Sequence, residues 1–321
     1  MRAIVVTRHG GPEVLELQDR PAPVPEAGQL IADVEAVGVN YRDIYEREGG
    51  GHYSGEPPFV AGVEGAGTVA AVGDGVEGIA PGDRVAWSAG SGAYAEQVAL
   101  DAAKVVPVPA GIGTEVAAAA LLQGMTAHYL ASSTYPVQRG DTVIVHAAAG
   151  GVGLLLTQIV KLRGGRVIAT TSSEEKAALA REAGADETIG YEGFAERARE
   201  LTGGEGVAAV YDGIGAATFD DSLAALRPRG FMVLYGAASG QPPPVEIAAL
   251  NRGSLFLTRP TLAHYGAQPD EMLARSGEVF GWIEAGELDV RIGGRYPLEA
   301  AAQAQTDLAA RATTGKLILV P

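Results

Sequence analysis

DTVIVHAAAGGVGLLLTQIVKLRGG, residues 141–165, is the stretch that decides the fold. Residues 142–146 read as a short buried strand: Val143, Ile144 and Val145 are β-branched and apolar, and Asp141 follows Gly140 as a turn. Small residues fill 147–153. Leu154, Leu155, Leu156, Ile159, Val160 and Leu162 then read as a largely buried helix, closed by Gly164 and Gly165. Strand, glycine turn, helix is the context in which a glycine motif signals nucleotide binding. A helix N-terminus offers unpaired N–H groups and partial positive charge to a pyrophosphate, provided no side chain intervenes. The three glycines of G-x-G-x-x-G fall on Ala148, Gly150 and Gly153, so the first position departs from the pattern. Gly150 lets backbone approach phosphate, and Gly153 lets helix and strand pack closely. A tight turn without a ligand is the alternative reading of the same residues.

Working outward, strands and helices alternate. Residues 166–170 read as a strand, 174–183 as a helix, 187–189 as a strand and 194–201 as a helix. Then come a strand at 207–211, a helix at 219–226 and strands at 231–234 and 254–258. This alternation predicts a doubly wound parallel sheet. Ser172 and Glu175 fit a capping box at the start of the second helix. Residues 117–122 and 126–132 look helical. Residues 1–120 instead read as many short strands with glycine turns, which suggests a β-barrel-like domain. The tail carries helices at 272–284 and 299–310 and a strand at 316–320. It is too short for a core of its own and is expected to pack on the first domain.

An acid about twenty residues beyond the glycines would bind the free ribose 2′-hydroxyl of NAD. Thr170, Thr171, Ser172 and Ser173 stand there instead, with Lys176 one turn on. Hydroxyls plus a cation suit a phosphate and favour NADPH. The alternative is that Ser172 is only a cap and Lys176 a solvated charge.

The 321 residues are 47% hydrophobic and 20% charged, ordinary for a globular chain with room for two cores. A net charge of −15 argues against a general nucleic-acid or anionic-membrane binder. There is no cysteine, which removes disulfides, thiolate catalysis and thiolate-held zinc. The five histidines are scattered without ligand spacing, so no metal site is expected. No apolar run is long enough to span a bilayer, and the N-terminus reads as a strand, so a cytoplasmic protein is expected.

VNYRDIYEREG, EGAGTVAAVGDGV, PGDRVAW, LLQGMTAHYL, HAAAGGVGLLLTQIVKLRGG, TSSEEKAALAREAGAD, YDGIG, LRPRGFMVLYGAASG and SLFLTRPTLAHY together resemble the zinc-independent, zeta-crystallin-like quinone oxidoreductases of the medium-chain dehydrogenase/reductase superfamily. The resemblance runs in order over essentially the whole chain. It implies an α/β protein with a GroES-like, β-rich catalytic domain (residues 1–122 and 265–321) and a Rossmann NADPH-binding domain (residues 123–264). It implies NADPH-dependent, metal-independent reduction of quinones or other electron-poor enones, and a homodimer paired through the 254–258 edge strand. An enoyl-thioester reductase on the same scaffold and a non-enzymatic NADPH-binding protein, crystallin-like or RNA-binding, are the alternatives. Zinc-dependent relatives place a cysteine where Asn40 stands, a histidine at Val63 before Glu64, and usually another cysteine near Gln123. All three are missing here.

The resemblance further implies Asn40, Tyr45 and Tyr53 as catalytic candidates, Asn40 and Tyr45 also lying near the nicotinamide. A hydrogen bond from Asn40 or Tyr45 would stabilise charge developing on the substrate. Thr126 and Leu257 are implied on the nicotinamide side. Gly150, Gly151, Val152 and Gly153 are implied at the pyrophosphate, and Gly236 and Ala237 where backbone approaches the cofactor. Ser172, Lys176, Tyr191 and Arg311 are implied as 2′-phosphate contacts. Tyr45 and Tyr53 as packing residues, Asn40 as a turn residue and Arg311 as a surface charge remain open.

Overall fold

The computed structural model describes residues 1–50, 55–90 and 92–321. They form two units. One holds Met1–Leu122, Ala267–Ala285 and Val290–Pro321; the other holds Gln123–Gly266 and Gly286–Asp289. Of residues 265–321, six group with the second unit, residues 265 and 266 and Gly286–Asp289, and the rest with the first.

The second unit is built on a six-stranded sheet, all parallel. Its order is Glu187–Ile189, Arg166–Thr170, Thr142–Val145, Val207–Asp212, Leu226–Leu234 and Phe256–Thr258. The chain leaves Thr142–Val145 to one side first and returns on its other side, so the order reverses beside that strand. In such sheets a crevice opens there at the carboxyl ends, and residues 147–153 lie at that end. The strands are apolar because helices cover both faces: every residue of Val207–Asp212 is buried. Gly151–Leu162 buries Leu154, Leu155, Leu156, Ile159 and Val160.

Two sequence expectations change here. The helices expected at 117–122 and 126–132 are one helix, Thr114–Tyr129, which passes into a π-helical segment, Leu130–Thr134. Gly124 does not interrupt it; an interior glycine costs only about 1 kcal/mol, which the buried alanine-rich face outweighs. The second helix of the parallel unit begins one residue later than its capping pattern predicts. Its cap is Ser173, whose hydroxyl accepts from the Lys176 N–H at 3.3 Å. Glu175 therefore lies outside any capping box, and Ser172 is released from that duty.

In the first unit, Leu15–Asp19, Arg2–Val6 and Phe59–Val60 form a small antiparallel sheet. A seven-stranded sheet runs Ile292–Pro297, Lys316–Val320, Gln29–Val39, Glu64–Val72, Arg84–Trp87 and Val105–Pro107, with Gln97–Asp101 also on Gln29–Val39. The long strand Gln29–Val39 is its organiser, pairing with three others and shifting register twice against Glu64–Val72. Trp87 and Tyr94 fill the core between the sheets. Residues 39–49, polar and aromatic in sequence, form the helix Tyr41–Arg47.

Candidate functional site

The turn after Thr142–Val145 is shaped by close packing. Ala147 takes a left-handed conformation, φ 49°, and the Gly150 N–H returns to its carbonyl at 2.9 Å. Ala148 is wholly buried and its N–H reaches the Thr170 carbonyl at 3.2 Å, tying the turn to the end of the neighbouring strand. Gly150 is the N-cap of the helix Gly151–Leu162. A Cβ at Gly153 would fall 2.7 Å from Ala148 Cα, so only glycine permits this approach of helix to turn. The N–H groups of a first helical turn have no partner within the helix, and Gly150, Gly151 and Gly153 add no side chain of their own over this one, Val152 being the exception.

Beside the cradle the structure brings Ser172, Lys176 and Tyr191 to the end of the second strand. The Lys176 ammonium lies 3.4 Å from the Ser172 hydroxyl. The Tyr191 hydroxyl accepts from the Ala147 N–H at 3.1 Å and donates to the Thr170 carbonyl at 3.5 Å. Of the nearby carboxylates, Glu174 is occupied by an ion pair with Arg181. A hydroxyl and a cation side by side form a phosphate-compatible corner. Arg311 stands in the first unit, beside Tyr41, with a left-handed φ of 56°.

At the next carboxyl ends, Gly236 packs on Gly213: a Cβ there would fall 2.8 Å from Gly213 Cα. Ala237 is buried, and Leu257 pairs with Met232 on the edge strand. Thr126 is buried on the helix Thr114–Tyr129.

Beneath the turn lies a polar network that sequence reasoning missed. His146 is wholly buried; Nδ1 lies 2.7 Å from Thr170 Oγ1 and Nε2 2.9 Å from Ser222 Oγ. Burial pushes its pKa down to about 4, with Asp212 opposing. Asp212 Oδ1 accepts from the N–H groups of Ile214 and Gly215 at 2.7 and 3.0 Å, and Oδ2 from the Thr218 hydroxyl at 2.8 Å. These bonds fix the carboxyl ends of three strands. The sequence signal was weak: one histidine at a strand end and an Asp-Gly turn far away.

In the first unit, Asn40 caps the helix Tyr41–Arg47 and is 5% exposed. Its Nδ2 donates to the Gly38 carbonyl at 3.1 Å and to Glu64 Oε2 at 2.9 Å, which uses both hydrogens. Lys316 Nζ donates to Asn40 Oδ1 at 2.7 Å and to Glu64 Oε2 at 2.5 Å. Glu64 Oε1 takes the Leu122 N–H at 2.7 Å. Asp43 Oδ2 accepts from the Asn40 N–H and the Tyr94 hydroxyl, each at 2.9 Å. Burial raises the Asp43 pKa to about 7, against those two hydrogen bonds and the charges of Lys316 and Arg42. Arg47 anchors the helix's other end, donating to the Gly10 carbonyl at 3.0 Å and Gln305 Oε1 at 2.8 Å. Tyr45 is half-buried on this helix, its ring 6.2 Å from that of Tyr41. Tyr53 lies outside the described residues. Among the described residues no group of three or more His, Asp or Glu side chains is placed to hold a metal, and none of the helices is long and apolar enough to cross a membrane.

Two family profiles match the chain: "Zinc-binding dehydrogenase" over residues 151–271 and "Alcohol dehydrogenase GroES-like domain" over residues 26–110. A quinone oxidoreductase of Pseudomonas aeruginosa is 44% identical, covering 100% of this chain and 99% of its own. A 2-haloacrylate reductase of Burkholderia is 40% identical, covering 99% of this chain and 98% of its own. A mycobacterial protein solved in complex with NADPH is 51% identical over all of both chains, with a TM-score of 0.97.

Proposed function

Since the chain belongs to the quinone oxidoreductase family of the medium-chain dehydrogenase/reductase superfamily, we propose that it binds NADPH and reduces quinones or other electron-poor enones without a metal. The observation that carries the cofactor is the phosphate corner beside the glycine cradle: Lys176 next to Ser172, with Glu174 engaged by Arg181. The NADPH complex of the mycobacterial relative supports it. Activated alkenes as substrates draw support from the relative named for 2-haloacrylate, whose double bond is conjugated to a carboxyl.

NADPH supplies the hydride. The chain's own residues bind and orient. N–H groups of Gly151, Val152 and Gly153 hold the pyrophosphate, and Gly150, whose own N–H is taken by the Ala147 carbonyl, lets backbone approach it. Ser172, Lys176 and Tyr191 hold the 2′-phosphate, for which Arg311 is a further candidate. Thr126 and Leu257 border the nicotinamide, and at Gly236 and Ala237 the backbone approaches the cofactor. Tyr45 donates a hydrogen bond to the substrate oxygen as charge develops there. Asn40 has no carboxamide hydrogen left to give, so its part is to fix the start of the helix that carries Tyr45. Tyr53 is the further catalytic candidate. Holding donor and acceptor in contact supplies much of the acceleration.

The reading includes a cytoplasmic homodimer. Its support is the edge strand Phe256–Thr258, paired on one side by Leu226–Leu234, with Phe256 50% exposed. Sedimentation at twice the chain mass, lost in Phe256→Glu, is the expected result.

Following NADPH oxidation with a benzoquinone, an α,β-unsaturated ketone, 2-haloacrylate and an enoyl thioester tests the whole reading. Turnover of the first three, much slowed in Tyr45→Phe, is expected. Preference for the thioester moves the assignment to an enoyl-thioester reductase. Tight NADPH binding with no oxidation by any acceptor makes the chain a binding protein.

A further inference from the structure

Among the buried side-chain polar atoms left without a partner, one lies against the pyrophosphate turn: Oε1 of Gln123. The carboxamide rests on Gly151, the first residue of the helix Gly151–Leu162. A Cβ on Gly151 would fall 2.7 Å from Nε2 and nearer still to Oε1. Gly151 has no positive φ. What the missing Cβ provides is room for the Gln123 carboxamide on top of the turn. A buried amide oxygen without a donor costs about 1–3 kcal/mol, and such an atom calls for a reason. Gln123 also precedes Thr126 by three residues on one helix, so the two side chains share a face.

We propose that Gln123 is a cofactor-contacting residue for the nicotinamide half of NADPH. Its amide N–H donates to an oxygen of the nicotinamide-side phosphate, and its orphaned Oε1 accepts from a hydroxyl of the nicotinamide ribose. This rests on the reading above that places Thr126 on the nicotinamide side. An amide matches both groups because it donates and accepts at once, which a hydroxyl donor and a phosphate acceptor require. It also explains Gly151, which neither the turn conformation nor the packing of helix on strand demands.

The test is calorimetric titration of wild type, Gln123→Ala, Gln123→Leu and Gln123→Glu with NADPH and, separately, with 2′,5′-ADP, which carries only the adenosine half. The expected result is a rise of about tenfold in the NADPH dissociation constant for Ala and Leu, and a larger rise for Glu, whose charge opposes phosphate. The 2′,5′-ADP constant stays at the wild-type value in all three, which also shows that the turn is intact. Equal weakening for both ligands makes Gln123 a support of the turn and overturns the proposal, as does unchanged NADPH binding. Failure of the wild type to bind 2′,5′-ADP at all would instead sink the cofactor reading itself, and this proposal with it.

Discussion

Lys316 and Glu64 form an ion pair, Nζ to Oε2 at 2.5 Å, in which the side chains are 1% and 0% exposed. The Lys316 ammonium also bonds the Asn40 carboxamide, so the pair sets the orientation of the residue that starts the helix Tyr41–Arg47. Removing one member of a buried pair strands the other charge. Lys316→Met is expected to cost about 3–5 kcal/mol in urea unfolding, and Lys316→Met with Glu64→Gln to recover most of it. A double variant no more stable than the single one would show that the loss comes from packing.

Two buried groups give stability opposite dependences on pH. Asp43 is raised from 3.8 to about 7, so the folded chain holds that proton longer than the unfolded one. Its contribution is full below 3.8 and is lost as pH rises through about 7. His146 is lowered from 6.5 to about 4, so the unfolded chain takes up the proton first. Its contribution is full above 6.5 and is lost as pH falls toward 4. Unfolding free energies of Asp43→Asn and His146→Gln, each subtracted from wild type at every pH, should therefore slope in opposite directions. Parallel slopes would contradict the burial assigned to one of them.

Lys176→Ala should raise the dissociation constant for NADPH by about tenfold or more, the worth of a charge-assisted contact to phosphate. NADH binding should change little, because the ribose 2′-hydroxyl carries no charge to lose. Equal loss for both cofactors would remove Lys176 from the 2′-phosphate corner.

Two glycine substitutions should differ in sign. Gly153→Ala puts a Cβ against Ala148 Cα and is expected to cost about 1–3 kcal/mol and to weaken NADPH. Gly277→Ala lies in the helix Pro269–Glu284 with nothing within 4 Å of the new Cβ. It is expected to stabilise by about 0.5–1 kcal/mol. Melting temperatures of the two variants decide both.

The parallel sheet was legible because its signals are local: apolar strands, glycine turns, and helices that bury one face. The glycine cradle was legible for the same reason. A one-residue error at Ser173 shows the limit of local reading, since two adjacent serines both satisfy a capping pattern and only backbone geometry chooses between them. The polar clusters were not legible. His146, Thr170, Ser222 and Asp212 are separated by up to 76 residues in pairs that bond directly, and Lys316 lies 252 residues from Glu64. Nothing in the neighbourhood of either residue marks it as half of a pair. A lone lysine opening the apolar strand KLILV was the faint sign available.

The strand Lys316–Val320 has a consequence for how the chain acquires its structure. It completes the sheet that Gln29–Val39 organises, and its first residue closes the bonds around Asn40. During synthesis, residues 1–122 must therefore wait for the last segment to emerge before their core can close, whereas residues 123–266 already include every strand of their own sheet. The middle of the chain therefore holds all the strands of its own sheet before the strand that completes the flanking sheet has been made.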